Sequence, residues 1–324
     1  MNLRNLCLFM CVLGLFAVVS GNGGCGGGGG GGDTPVVEPP PSRPEPQGSW
    51  QDEGNYDVDW YSDKPYEIST AAELAGLAKL VNDGNTFEGE TISLTGDIDL
   101  GDHYWTPICN HRFTVSFRGT FDGRGNTISN MTILIKEING HTEIGLVGVN
   151  EGTVANVRLT NAAISGANND LVYAGGLVGW NRGTVIDCTV TNSYVSGSSS
   201  GYGCVVGGLA GTNGLQHTED KGGVITGCEV SNSIVEAFDT VSGNGGANAG
   251  VLAGQNTGRG AVINCVTDNS KVTATALNNN IGLGGFIGAV AGNSDITGNT
   301  TTITELPAIG SDERLDPPAP SNNI

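Results

Sequence analysis

From Gly145 onward the chain runs in short stretches in which apolar and polar residues alternate, each following a glycine-framed apolar tetrad. The stretches read GLVGVNEGTVANVRLTN from Gly145, GLVGWNRGTVIDCTVTN from Gly176, GLAGTN from Gly208 leading into GGVITGCEVSN, VLAGQNTGRGAVINCVTDN from Val251, and a degenerate GFIGAVAGN from Gly285. The closing glycines Gly148, Gly179, Gly211, Gly254 and Gly288 lie 31, 32, 43 and 34 residues apart. The alternation has a period of two and predicts β-strands. A unit of this length cannot bury its own apolar face, so the repeat predicts coils stacked into a solenoid.

The register within the repeat refines the picture. Aligned on the strand, Val157, Cys188, Cys228 and Cys265 share one position, and Asn161, Asn192, Asn232 and Asn269 each follow four residues later. Strict alternation turns Ala155/Val157/Leu159, Ile186/Cys188/Val190, Thr226/Cys228/Val230 and Ile263/Cys265/Thr267 inward. It leaves Asn156, Arg158, Asp187, Thr189, Glu229 and Asn264 facing water. Parallel stacking sets like residues above like, so the cysteines read as small buried hydrophobes. The column Asn161, Asn192, Asn232 and Asn269 reads as a hydrogen-bonded ladder at a corner, where asparagine tolerates a left-handed backbone. The fold class expected is all-β, a parallel β-solenoid.

Upstream of the repeats, Ser69 or Thr70 with Glu73 forms a capping box that opens a helix through about Asn82. Leu74, Leu77, Leu80 and Val81 mark its apolar face, and it is placed to cover the open end of the first coil. Strands are expected at 91–94, 97–100, 115–121 and 126–135. The tail after Thr304 is Pro-rich and acidic.

These residues resemble a known family. The GLVG and GLAG tetrads with a trailing N-x-G and a Cys-containing strand look like GLUG-motif repeats of bacterial surface proteins. The stretch from YEISTAAELAGL to FRGTFDGRGNTISNMTI is similar to the segment that commonly precedes such repeats. The resemblance covers roughly Tyr66 to Thr304. It implies a right-handed β-helix, pectin-lyase-like, on a secreted or surface-anchored protein.

The amino terminus reads as an address. Arg4 precedes an apolar stretch at 6–19 that is too short to span a bilayer in the usual way, and small residues lead to Cys25. This resembles a bacterial lipoprotein signal in which Cys25 becomes the lipidated amino terminus; ordinary cleavage after Gly21 is the alternative. Glycines and prolines at 26–48 make a tether without a fold of its own. The expected organisation is a signal at 1–24, lipidated Cys25 and linker at 25–48, cap and first coils at 49–135, repeats at 136–305 and a tail at 306–324.

The chain has 324 residues with 54 Gly, and 14 Lys+Arg against 33 Asp+Glu give a formal charge of −19. An acidic surface repels phosphate backbones, so nucleic acid is not an expected partner. No cofactor or metal is expected. GLUG repeats also accompany some zinc-dependent immunoglobulin proteases, but no H-E-x-x-H is present here. Asp97, Asp99 and Asp102 lack a calcium-loop pattern, and His103, Cys109 and His111 make no recognised zinc set. Asp122 in FDGRGN reads as a turn residue.

Aromatic residues are the better pointer to binding. Trp50, Tyr56, Trp60, Tyr61, Tyr66 and Trp105 crowd the cap, while Tyr173, Trp180, Tyr194 and Tyr202 are expected on repeat turns. Two long insertions, 212–222 with Gln216, His217 and Glu219 and 238–248, are expected to come together beside Tyr202. The reading that follows is a non-enzymatic lipoprotein at the surface of a Gram-negative outer membrane. It would be an adhesin-like module for a glycan or host surface protein. A polysaccharide lyase or hydrolase and a passive spacer are the alternatives. Binding predicts a patch of aromatics and asparagines, an enzyme a carboxylate or Lys/Arg pair in a groove, and a spacer neither.

Overall fold

In the computed structural model, the described residues are 44–110, 116–136, 140–214, 222–240, 245–277, 280–290 and 295–305. Cys25, the linker up to residue 43, Gln216, His217, Glu219 and the tail from 306 lie outside them. The described chain is a parallel β-solenoid of about six turns with one helix near its amino terminus. Its strands form an eight-stranded sheet, an eleven-stranded sheet and two five-stranded sheets.

One coil shows the plan. Strands Val172–Gly175 and Val178–Asn181 belong to the two five-stranded sheets and Thr184–Ile186 to the eight-stranded sheet. Thr189–Thr191 and Tyr194–Ser199 both join the eleven-stranded sheet. Like positions stack in register: Val185 pairs with Val154 below and Ile225 above.

Two corners per coil are left-handed. Asn161, Asn192, Asn232 and Asn269 have φ of 54°, 51°, 49° and 41°. The other corner falls at Asn156, Asp187, Gly227, Asn264 and Gly298, inside what alternation treats as one continuous strand. That corner corrects the expected inward set. Val154, Val185, Ile225 and Val262 are fully buried before it, whereas Ile186, Thr226 and Ile263 are half-buried. Beyond it Cys188/Val190 and Cys228/Val230 point inward as expected. A left-handed residue turns the backbone without completing a pleat, so side-chain parity changes across it. In the first coils Asn130, φ 60°, likewise splits the expected 126–135 strand into Thr127–Ser129 and Thr132–Lys136. The expected 97–100 strand contracts to Ile98–Asp99.

The continuous asparagine ladder lies in a different column from the expected one. Asn150 Nδ2 donates to Asn181 Oδ1 at 2.8 Å, Asn181 to Asn213 at 2.7 Å and Asn213 to Asn256 at 2.8 Å, all four fully buried. In the corner column Asn269 Nδ2 donates to Asn232 Oδ1 at 2.7 Å. Asn161 and Asn192 there link to the next coil through their backbone N–H groups, to Thr191 and Ser231 carbonyls. A second buried ladder is made of serine: the N–H groups of Ala162, Ser193 and Ser233 donate to the hydroxyls of Ser193, Ser233 and Ser270, each at 3.1 Å. Each pairs a polar group that burial would otherwise leave costly. Cys188, Cys204, Cys228 and Cys265 are free thiols, and Cys188, Cys228 and Cys265 stack in the core. Asn299 ends that column, its Oδ1 accepting from the Cys265 N–H at 2.8 Å.

The tetrad glycines have a packing reason. The five-stranded sheet containing Val172–Gly175 is buried on both faces, with Val172, Ala174 and Val206 fully buried and Tyr173 and Val205 at 4% and 5% exposure. A Cβ at Gly166 or Gly197 of the eleven-stranded sheet would come within 2.4 Å of Ile144 Cδ1 or 2.7 Å of Val206 Cγ2. On the other side, a Cβ at Gly179, Gly211 or Gly254 would lie 2.7, 2.8 or 2.5 Å from the backbone N of Ile144, Ala174 or Val206. The middle sheet is thus clamped between two others, and only glycine lets the backbones approach this closely.

The helix spans Ala71–Asn82 with Thr70 as N-cap. Thr70 Oγ1 accepts from Glu73 N at 3.2 Å, and Glu73 Oε2 accepts from Thr70 N at 2.9 Å and Ser69 N at 2.7 Å. Burial would raise the Glu73 carboxyl, but these hydrogen bonds outweigh it and hold it below its usual range. Leu74, Leu77 and Val81 are fully buried in the core that continues into the coils.

Candidate binding cleft

The cap aromatics are structural. Trp60, Tyr61, Tyr66 and Phe87 pack with ring centroids 5.2 to 6.3 Å apart. Trp50 and Trp105 are buried, their indole N–H groups donating to the Leu100 and Leu146 carbonyls. The acidic residues near them also serve the backbone. Asp97 accepts from Thr127 N at 2.7 Å, Asp99 from Gly101 N and Asn130 Nδ2 at 2.9 Å, and Asp122 from Arg124 N and Asn156 Nδ2 at 2.9 Å. Among the described residues no group of three His, Cys, Asp or Glu side chains is arranged to hold a metal.

Of the four repeat aromatics, Tyr202 alone sits on a turn; Tyr173, Trp180 and Tyr194 lie on strands. Tyr194 donates to Glu236 Oε2 at 2.6 Å, and burial, reinforced by that carboxylate, pushes its phenol well above the usual range. Trp180 donates to the Gly214 carbonyl at 2.8 Å, lies 5.6 Å from the Tyr173 ring, and carries the Arg182 guanidinium 5.5 Å from its centroid. Tyr202 is 70% exposed.

The strands that flank the two insertions belong to different sheets. Residues 212–222 bridge Ala210–Asn213 of a five-stranded sheet to Val224–Thr226 of the eight-stranded sheet. Residues 238–248 bridge Ile234–Asp239 of the eleven-stranded sheet to Ala247–Gly250 of the other five-stranded sheet. Their described flanks therefore lie at different corners, and only the flanks of the second follow the corner that carries Tyr202; Gln216, His217 and Glu219 lie outside the described residues.

At that corner is a shallow cavity of about 230 Å³, lined by Leu171, Tyr173, Tyr202, Cys204, Val205, Asn248, Gln255 and Asn280 with glycines 203, 245 and 246. It opens between the two five-stranded sheets, and the register explains where. Tyr173, Val205, Asn248 and Gly282 form one column; Trp180, Thr212, Gln255 and Ala289 form another. Bulky rings fill the space in the first of these coils, and smaller side chains leave it open in the later ones. Burial, then the nearby Asp239, raises the Cys204 thiol, keeping it protonated at neutral pH. Sequence reasoning named Tyr202 and the 238–248 stretch that ends at Asn248 but missed Gln255 and Asn280; the signal was their fixed offset from the tetrads.

Parts of this chain are similar to known proteins. A relative from Haloquadratum walsbyi, halomucin, is 31% identical over 121 residues, which is 34% of this chain and 1% of halomucin. The crystal structure of a "putative immunoglobulin A1 protease" from Bacteroides ovatus superposes with a TM-score of 0.47 at 20% identity, covering 77% of this chain and 80% of that one. The GLUG motif matches residues 170–200, which hold the five strands of one coil from Val172 to Ser199, so this chain carries the GLUG motif as a structural turn of its solenoid.

Proposed function

We propose that this chain is a non-enzymatic binding module displayed at the bacterial surface, tethered through lipidated Cys25 and the Gly- and Pro-rich stretch at 26–48. One observation carries the reading: the cavity at the Tyr202 corner is walled by tyrosine, leucine and carboxamide side chains, and its described lining holds no charged group. Such a lining supports a binding surface, whereas hydrolysis or elimination at a sugar needs positioned acids and bases. The ladders support the same role, because a stack whose buried polar groups are paired coil to coil holds surface side chains in fixed positions.

The test is a screen of the purified chain, without its leader, against a panel of glycans and extracellular host proteins, alongside turnover assays on polysaccharides. Saturable binding without turnover is expected. Glycosidic cleavage would make the chain an enzyme, and no binding to any member would leave it a spacer.

A further inference from the structure

We propose that the cleft between the two five-stranded sheets takes one ring of a neutral carbohydrate, stacked on Tyr202 and hydrogen-bonded by Asn248, Gln255 and Asn280. The assignment rests on the reading of the chain as a binding module and names its ligand class and site.

Size limits the ligand first. A cavity of about 230 Å³ falls below the roughly 300–1,000 Å³ of sites for drug-sized molecules, so it fits a single ring, with the rest of a chain outside. Chemistry limits it next. A pyranose presents a C–H face and a rim of hydroxyls, each both donor and acceptor. An exposed phenol ring suits the C–H face, and a carboxamide offers an acceptor oxygen and two donor hydrogens to the hydroxyls. Charge limits it last. With a formal charge of −19 and no basic side chain in the described lining, an anionic sugar meets repulsion. A cation finds no carboxylate in the same lining.

The site is also held in shape before any ligand arrives. Ser199, fully buried, accepts at its Oγ from the N–H groups of Gly201 at 3.1 Å and Gly203 at 3.0 Å, the two neighbours of Tyr202. The same hydroxyl donates to the Asp170 carbonyl at 2.7 Å. The turn bearing the exposed ring is thereby fixed to the preceding coil. Asn280 Nδ2 donates to the Gly245 carbonyl at 3.0 Å. Asn248 Oδ1 lies where a Cβ at Gly282 would be 2.3 Å away, so glycine in the next strand makes room for this carboxamide. Pre-ordering of this kind lowers the entropy lost on binding.

The experiment uses the purified mature chain. Calorimetry measures binding of neutral oligosaccharides ending in hexose or N-acetylhexosamine, their sialylated and sulfated counterparts, and an unglycosylated peptide. Tyr202→Ala, Tyr202→Phe and Asn248→Ala are run alongside, with circular dichroism and melting as fold controls. We expect a neutral sugar to bind with affinity unchanged between about 0.05 and 0.5 M salt. Tyr202→Ala and Asn248→Ala should each weaken it about tenfold or more, with Tyr202→Phe near wild type. Binding of a neutral sugar unaffected by the folded Tyr202→Ala and Asn248→Ala variants would overturn the site while leaving the module reading intact. Binding only of anionic glycans or of the peptide would overturn the ligand class alone. Failure to bind these probes, with a protein ligand found in the wider screen, would overturn this inference and not that reading; failure in both would remove both.

Discussion

At the residue scale the decisive side chains are buried polar groups that repeat coil after coil. Asn181 accepts from Asn150 and donates to Asn213, so Asn181→Leu leaves amide groups on both neighbours without their partner. That should cost about 1–3 kcal/mol in denaturant unfolding. Asn192, in the exposed corner column, needs its left-handed φ of 51° more than its amide. Asn192→Gly should therefore stay within about 0.5 kcal/mol of the parent. Equal losses in the two variants would refute the assignment of the ladder to the buried column. The thiols give a pH prediction. Burial, then Asp239, raises Cys204, and neighbouring sulfurs together with burial raise Cys228 and Cys265 in the folded chain, whereas an unfolded cysteine titrates near about 8.5. Above that pH the unfolded state loses protons that the folded state keeps, so stability is full below it and falls as pH rises, by up to about 1.4 kcal/mol per pH unit for each thiol. The midpoint of guanidinium unfolding should drop more steeply between about pH 8.5 and 10 in the parent than in a Cys204→Ala, Cys228→Ala, Cys265→Ala triple variant. Parallel pH profiles would show that the thiols do not contribute.

At the element scale, glycine decides where sheets meet. Gly179 faces the middle sheet, where a Cβ would lie 2.7 Å from Ile144 N and 2.9 Å from Gly148 O, both backbone atoms unable to swing aside. Gly179→Ala should destabilise by about 1–3 kcal/mol, read as a lowered melting temperature. Gly96→Ala, with nothing near its Cβ, is the matched control and should have a much smaller effect. The helix and the stacking of the coils were legible because their causes are local. A capping box is spelled in four residues, and period-two alternation is visible in any strand. The left-handed corner at Asp187 was not, because Asp and Asn inside an alternating run look like ordinary outward residues until the backbone turns there. The buried ladder was readable in principle. Asn150, Asn181, Asn213 and Asn256 each stand five residues after the first residue of a tetrad, and the degenerate repeat replaces them with Val290, which is 47% exposed. The cleft arises from layering of sheets distant along the chain, which no single stretch encodes; its amide residues carry no signature apart from their column.

At the scale of the whole molecule, stability should be additive over coils, because each coil touches mainly its neighbours. The register makes a sharp test possible. Removing residues 176–207 joins Gly175 to Gly208 and restores the sequence AGGLAG at the junction, where the parent reads AGGLVG. In the shortened chain Asn150 meets Asn213, Ala162 meets Ser233 and Val157 meets Cys228, so every column closes over the gap with side chains of the kinds that already stack elsewhere. This deletion should keep the β circular-dichroism signature and a single cooperative unfolding transition, with lower total stability from the lost coil. Removing only residues 176–199 deletes most of a coil but not all of it, and the columns no longer meet; that variant should lose the β signature or aggregate through its unpaired strands. If both deletions fold equally well, coil register is not what holds the molecule together. If neither folds, the coils act as one indivisible unit and the nearest-neighbour account fails.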